Sequence, residues 1–177
     1  MNALLIIVFS LIFPITHIAN GWIFEFAELY EHISLIYLPA FLRLANVLIL
    51  GPRNGTLATL IGGLLLMPTS NDPVSVSLLN IVSSASGPLI ALYIFKKYTH
   101  RNFDLTSFKD LGALTLVYAI ANAVVHHLVW SVLDTSKLAE PLQILWMVFG
   151  DILGALVGAY LMKWVILKYR ERQFDNF

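Results

Sequence analysis

The 177-residue chain is 58% hydrophobic and 12% charged, with 11 basic and 11 acidic residues and no formal net charge, whereas a soluble domain carries roughly 25% charged residues. Its mean hydropathy of +0.77 points to an integral membrane protein, and no basic patch with interleaved aromatics suggests a nucleic-acid partner. With no cysteine in the chain, disulfides, thiolate zinc sites and cysteine catalysis are excluded.

Apolar runs predict an all-α polytopic bundle of about six transmembrane helices, forming a single integral membrane domain over residues 1–177. The first run is 4–20. It ends in Ala19-Asn20-Gly21, a weak cleavage-like site, but lacks the basic leader of a signal peptide and reads as a membrane helix. Glu25, Glu28 and Glu31 follow in a short amphipathic stretch that ends at His32 on the outer surface. Trp22, Phe24, Phe26 and Tyr30 supply an aromatic belt there, with Trp130 and Trp146 at the same level.

The second run is 34–50 and the third is 56–67, joined by a turn from Gly51 to Gly55. The third is short against the roughly 20 residues a spanning helix needs, so a half-helix or re-entrant segment is a second reading for it. The fourth, fifth and sixth runs are 74–95, 111–133 and 142–167. Thr106 or Ser107 is placed to cap the fifth. Pro39 and Pro88 are expected to interrupt the second and fourth. Gly150, Gly154 and Gly158, at four-residue steps, present a small-residue face on the sixth that lets another backbone come close.

Charges between the runs set an orientation. Acidic residues follow the first run, Arg53 the second and Asp72 the third. Lys96, Lys97, Arg101 and Lys109 follow the fourth, Asp134, Lys137 and Glu140 the fifth, and Lys168, Arg170 and Arg172 the sixth. The alternation predicts a multi-pass protein with both termini in the cytoplasm.

Arg43 near the middle of the second run and Asp151 in the upper middle of the sixth are charges set deep in apolar runs, each costing about 2.5–3.5 kcal/mol if left alone at the bilayer centre. They are predicted to meet, either as an ion pair that fixes helix arrangement or as part of a ligand or ion site. Asn46, Asn80 and Asn122 are candidates for the same polar network. His126 and His127 point about 100° apart on one helix, so both do not easily face one metal. His17 with one of them is a conceivable metal or haem site, but histidines satisfied by water or backbone are the simpler reading, and no metal or cofactor is expected. The chain has no HExxH, P-loop, GxSxG or paired-carboxylate spacing, so an enzyme is not expected.

Three stretches carry a resemblance. They are Tyr37-Leu-Pro-Ala, then Leu50-Gly-Pro-Arg with Leu60-Ile-Gly-Gly, then Trp146-Met-Val-Phe-Gly-Asp-Ile-Leu-Gly. In order and spacing they resemble the membrane-associated sensor (MASE-type, first class) domain of bacterial signalling proteins, over roughly residues 34–167. Gly150-Asp151-x-x-Gly154 matches that family's late motif position by position. The resemblance implies a sensory module of the bacterial inner membrane. Family members feed a histidine kinase or diguanylate cyclase domain; these 177 residues include neither, so the expectation is a sensor-like or accessory protein acting through a partner membrane protein, with a small-ligand pocket between helices. The chain is also similar in size and helix number to the substrate-capture subunits of energy-coupling-factor transporters, with a Gly51 to Gly55 turn and a Gly-rich last helix. That resemblance implies capture of a vitamin-like molecule from outside, with an ATPase pair and a coupling membrane protein as partners. A structural subunit of a larger membrane complex is the third expectation.

Overall fold

The computed structural model describes residues 3–30, 33–101, 104, 107–133 and 141–174, without the side chains of 133, 141 and 166–174. The roles expected of Glu31, His32, Thr106, Asp134, Lys137 and Glu140, and of the Lys168, Arg170 and Arg172 side chains, lie outside the described residues. The described chain is all-α apart from one small ribbon. Its helices are α1 (Ala3–Ile23), α2 (Leu38–Leu66), α3 (Val74–Thr99), α4 (Phe108–Leu133) and α5 (Pro141–Phe174). Four of them, α1, α3, α4 and α5, are long and apolar enough to cross a membrane. Leu4, Ile15, Val82, Leu128 and Leu156 stand exposed on their outer faces, as lipid-facing positions do.

The stretch after α1 is a strand ribbon, with Phe26, Leu29 and Tyr30 exposed alongside Glu25 and Glu28 in place of the expected amphipathic face. A single 3-10 turn, Glu25–Ala27, leads into β1 (Glu28–Tyr30), which pairs antiparallel with β2 (Ile33–Ser34). Because Ser34 belongs to β2, the second helix starts at Leu38, later than the expected 34. Pro39 therefore falls in its first turn, where the missing N–H has no helical partner to lose, and it begins the helix instead of interrupting it. Pro88 does lie inside its helix, α3.

Helix α2 is broken at Gly51, whose φ of 81° and ψ of 164° are non-helical. In one continuous helix Asn46 and Thr59 would stand about 20 Å apart along the axis; here Asn46 Nδ2 donates to Thr59 Oγ1 at 3.1 Å. A Cβ on Gly55 would overlap the Asn46 carbonyl and Val47 Cα. The halves, 38–50 and 52–66, therefore fold back on each other as a helical hairpin. The expected five-residue turn shrinks to one residue because Pro52 starts the second half and Asn54 Nδ2 donates back to the Leu50 carbonyl at 3.5 Å.

Gly51 occupies a backbone region that is essentially closed to side chains, although nothing lies within 4 Å of where a Cβ would go. Gly51→Ala is expected to cost about 1–3 kcal/mol through backbone strain alone. Gly112→Ala, equally uncrowded but helical, is expected to gain about 0.5–1 kcal/mol. Thermal unfolding of the two variants in mild detergent checks the contrast.

Small residues decide how the hairpin is held. Gly62 meets Ser10 and Phe13 of α1, and Gly63 meets Ile81 of α3, so the second half of α2 is wedged between those helices. The glycine face of α5 takes the other side. Gly150 abuts the Ser34 carbonyl, Gly154 the Tyr37 backbone and Gly158 the Phe41 ring. The Tyr37 N–H donates to the Gly150 carbonyl at 3.2 Å. Helix α3 packs along α4, with Gly87 against Asn122. One core cluster joins Ala40, Leu44, Ala91, Phe95, Leu114 and Tyr118; a second joins Ile33, Ala123, Trp130 and Met147.

At the far end, α3 closes on His100 in the left-handed region, with its N–H bonded to the Lys96 carbonyl. Ser107 Oγ accepts the Asp110 N–H at 3.3 Å, an N-cap for α4. The Asp110 carboxylate takes both arms of Arg101 at 2.5 Å, and this bonding raises the Arg101 pKa further above its ordinary value.

Candidate functional site

Each helix around the hairpin carries a polar seam at three- and four-residue steps, which puts the seam on one face. On α1 it is Ser10, Phe13, His17 and Asn20; on α3 it is Ser77, Asn80 and Ser84; on α4 it is Tyr118, Asn122, His126 and Trp130. Much of these seams turns toward a cavity of about 410 Å³, within the size range of small-molecule sites. Its rim carries Glu28, Ser70 and Asp72, and its inner wall carries Arg43, Thr59 and Asp151. The rim lies where α1, the second half of α2 and α4 end and where α3 and α5 begin, so the cavity occupies one half of the bundle.

Arg43 is 4% exposed. Its guanidinium lies over the rings of Phe13 and Tyr37, with its central carbon 5.7 and 5.1 Å from the centroids. Arg43 Nη2 donates to the Tyr37 hydroxyl at 3.0 Å, and Nη1 to Asn122 Oδ1 at 3.5 Å. Having accepted from Arg43, the Tyr37 hydroxyl has its own proton to offer His17 Nδ1, 3.0 Å away. Asn20 Oδ1 accepts the Leu38 N–H at 2.8 Å and so helps to start α2 beneath this cluster. Tyr118, fully buried, lies beside the guanidinium as well.

Asp151 is 1% exposed and follows Gly150 directly, so the glycine contact with Ser34 sets its height in the bundle. Asn122 Nδ2 donates to Asp151 Oδ2 at 2.7 Å. Arg43 and Asp151 are thus joined through the Asn122 amide, which accepts from the cation and donates to the anion, and not by a direct ion pair. Of the two expected arrangements, a fixed ion pair or a shared site, the geometry is that of a shared site, with both residues lining one cavity. An amide is polarised in the sense that both partners need, and it satisfies each with one end.

The other two expected members are bonded outside this bridge, although Asn80 lines the same cavity. Asn46 is fully buried but turns to Thr59 across the hairpin. Asn80 accepts the Trp130 indole N–H through Oδ1 at 2.6 Å. Arg43, Asn122 and Asp151 are therefore one group, and Asn46 and Asn80 are two separate anchors. Asn80→Leu is expected to lower stability by about 1–3 kcal/mol, because it removes the acceptor of the Trp130 indole N–H; chemical or thermal unfolding with tryptophan fluorescence checks it.

His126 Nε2 lies 3.2 Å from Ser84 Oγ, and both His126 and His127 pack on Trp130, with ring centroids 5.5 and 5.0 Å away. His17 is engaged with Tyr37 instead of with either of them. Among the described residues no group of three or more His, Cys, Asp or Glu is placed to hold a metal ion.

Tyr37, Ser77, Ser84 and Tyr118 are site residues that a search for charges and motifs passes over. The step pattern on α4, with Tyr118, Asn122, His126 and Trp130 four apart, is the signal that would have found that wall. Compared with protein-family models, with curated proteins and with solved structures, the chain matches none.

Proposed function

We propose that this chain is a small-molecule receptor of the bacterial inner membrane, taking its ligand into the cavity from the outer side and passing the bound state to partner membrane proteins. The observation that carries this reading is the cavity of about 410 Å³ with two buried opposite charges on its inner wall and polar residues at its rim. A purely structural bundle gains nothing by keeping charges beside an open cavity, since replacing them with apolar side chains of like volume is often neutral or stabilising.

The topology proposed with it is six crossings with both termini inside. The two halves of α2 count as two short crossings, the second being the short third helix of the six. The basic Lys96 and Lys97 in the last turn of α3 support the inside placement of that end, and the cavity rim then faces outward. Of the two ways to use a bound ligand, handing it to a transporter or signalling its presence, the outward rim favours capture. A sensor-like or accessory role through a signalling partner is the second reading, supported by the Gly150-Asp151-x-x-Gly154 stretch that holds the acidic half of the site.

Two experiments test this. Amine-reactive labelling of right-side-out vesicles should spare Lys96 and Lys97 until the membrane is permeabilised; labelling from outside would reverse the topology and with it the reading. The protein purified in mild detergent should release a small molecule on denaturation, identifiable by mass spectrometry. The same preparation should carry an ATPase pair if the role is capture, or a kinase or cyclase if it is sensing.

A further inference from the structure

We infer that the ligand has no net charge but carries an anionic and a cationic group close together on an apolar body, in the manner of an apolar or aromatic α-amino acid. This deepens the receptor reading and rests on it. Arg43 and Asp151 both line the cavity, one of each sign, and are 4% and 1% exposed. A guest of net charge would leave one charge without a partner in a low-dielectric, membrane-level site, which is strongly unfavourable. The two charges of the inner wall sum to zero, Glu28 and Asp72 standing apart at the rim, so the guest that fits the inner wall sums to zero.

The spacing also fits. Between guanidinium and carboxylate stands one amide group, held by hydrogen bonds of 3.5 and 2.7 Å. The two charges are therefore no farther apart than the two bonds and the width of one amide allow, the scale of a hydrogen bond at each end of a carboxylate–ammonium pair about 3 Å apart. The donors left over point the same way. The Phe13 and Tyr37 rings lie against the guanidinium, leaving its in-plane N–H groups to reach a guest. Both terminal nitrogens already have partners, while the buried Nε has none. The Ser77 hydroxyl, on the cavity wall, 94% buried by its 6% exposure, is likewise without a partner. Buried donors without acceptors are unfavourable, and a carboxylate entering beside Arg43 supplies one. Phe13, Ile81, Trp130 and Met147, among the polar residues of the lining, offer contacts to an apolar side chain.

The test uses the full chain in lipid nanodiscs, with calorimetry and thermal unfolding as readouts. The probes are leucine and phenylalanine, their decarboxylated amines (isoamylamine and phenethylamine), and their deaminated acids (4-methylpentanoate and 3-phenylpropanoate). At least one amino acid is expected to bind and to raise Tm, and removing either charged group to weaken binding about tenfold or more. Arg43→Gln is expected to erase the preference for amino acid over amine, and Asp151→Asn the preference for amino acid over acid. The comparison of probes on the unmodified protein decides the matter even where a variant fails to fold. An amine or acid that binds as tightly as its parent overturns the inference, and so does failure of both amino acids to bind. The molecule released from the purified protein separates the two levels. A released molecule that bears net charge removes this inference and leaves the receptor standing; no released molecule and no binding of any probe removes both.

Discussion

Replacing Arg43 with leucine is expected to lower stability by about 3–5 kcal/mol, since it leaves the Asp151 carboxylate buried with no cation to balance it. Adding Asp151→Leu is expected to recover more than half of that loss. The recovery is incomplete because Asn122, which donates to Asp151 and accepts from Arg43, then keeps a buried amide with neither partner, at about 1–3 kcal/mol. The double change thus behaves better than either single one, the reverse of what two independent packing residues would do. Thermal unfolding of the three variants and the parent in one detergent measures the coupling. Additive losses would mean that the two charges do not sense each other, and the amide bridge would then be a coincidence of packing.

The second large effect is expected at Gly154. A side chain there would run into the backbone nitrogen and carbonyl of Tyr37. Backbone is the least yielding neighbour a substitution can meet, and overpacking a tight contact costs about 1–3 kcal/mol and occasionally more. Gly154→Val is expected to fall at the upper end, about 3 kcal/mol or beyond, and to weaken ligand binding in whatever fraction still folds, because Tyr37 holds Arg43 through its hydroxyl. Ser10 offers a contrast within the same bundle. It is 2% exposed and its hydroxyl is returned to its own helix at the Ile6 carbonyl, so Ser10→Ala is expected to change stability by less than about 1 kcal/mol. Unfolding midpoints of Gly154→Val and Ser10→Ala, measured side by side, check the difference.

Much of this architecture could be read from residue order. Runs of apolar residues long enough to cross lipid announce α1, α3, α4 and α5, and a charge inside such a run announces Arg43 and Asp151. What could not be read depended on how the chain meets itself. Gly51-Pro-Arg-Asn-Gly55 reads as a loop of five because each residue suits a turn, but Pro52 suits the start of a helix equally well, and only the fold-back contact of Gly55 with Asn46 chooses between them. The destination of Asn46 depends on that hairpin register, and so its bond to Thr59 has no local signature. Asn80 finds Trp130 fifty positions away, which no spacing rule reaches. The ribbon at Glu28–Tyr30 has too few residues to show an alternating pattern. The intermediary role of Asn122 is the most instructive case. Opposite charges in two helices invite a direct pair, whereas a polarised amide between them keeps both bonded while leaving room beside each.

Helix α5 is 34 residues long, about 51 Å at the helical rise, against a hydrocarbon layer of about 30 Å. Near its middle this rod is geared to the start of α2 through glycine teeth, with Asp151 set between the first two of them. A twist of the rod by one residue's angle would swing that carboxylate out of register with Asn122, so charge at the binding level and torsion along the rod are the same variable. Its length beyond the lipid, more than a full helical turn, would carry any such twist to the far side of the membrane.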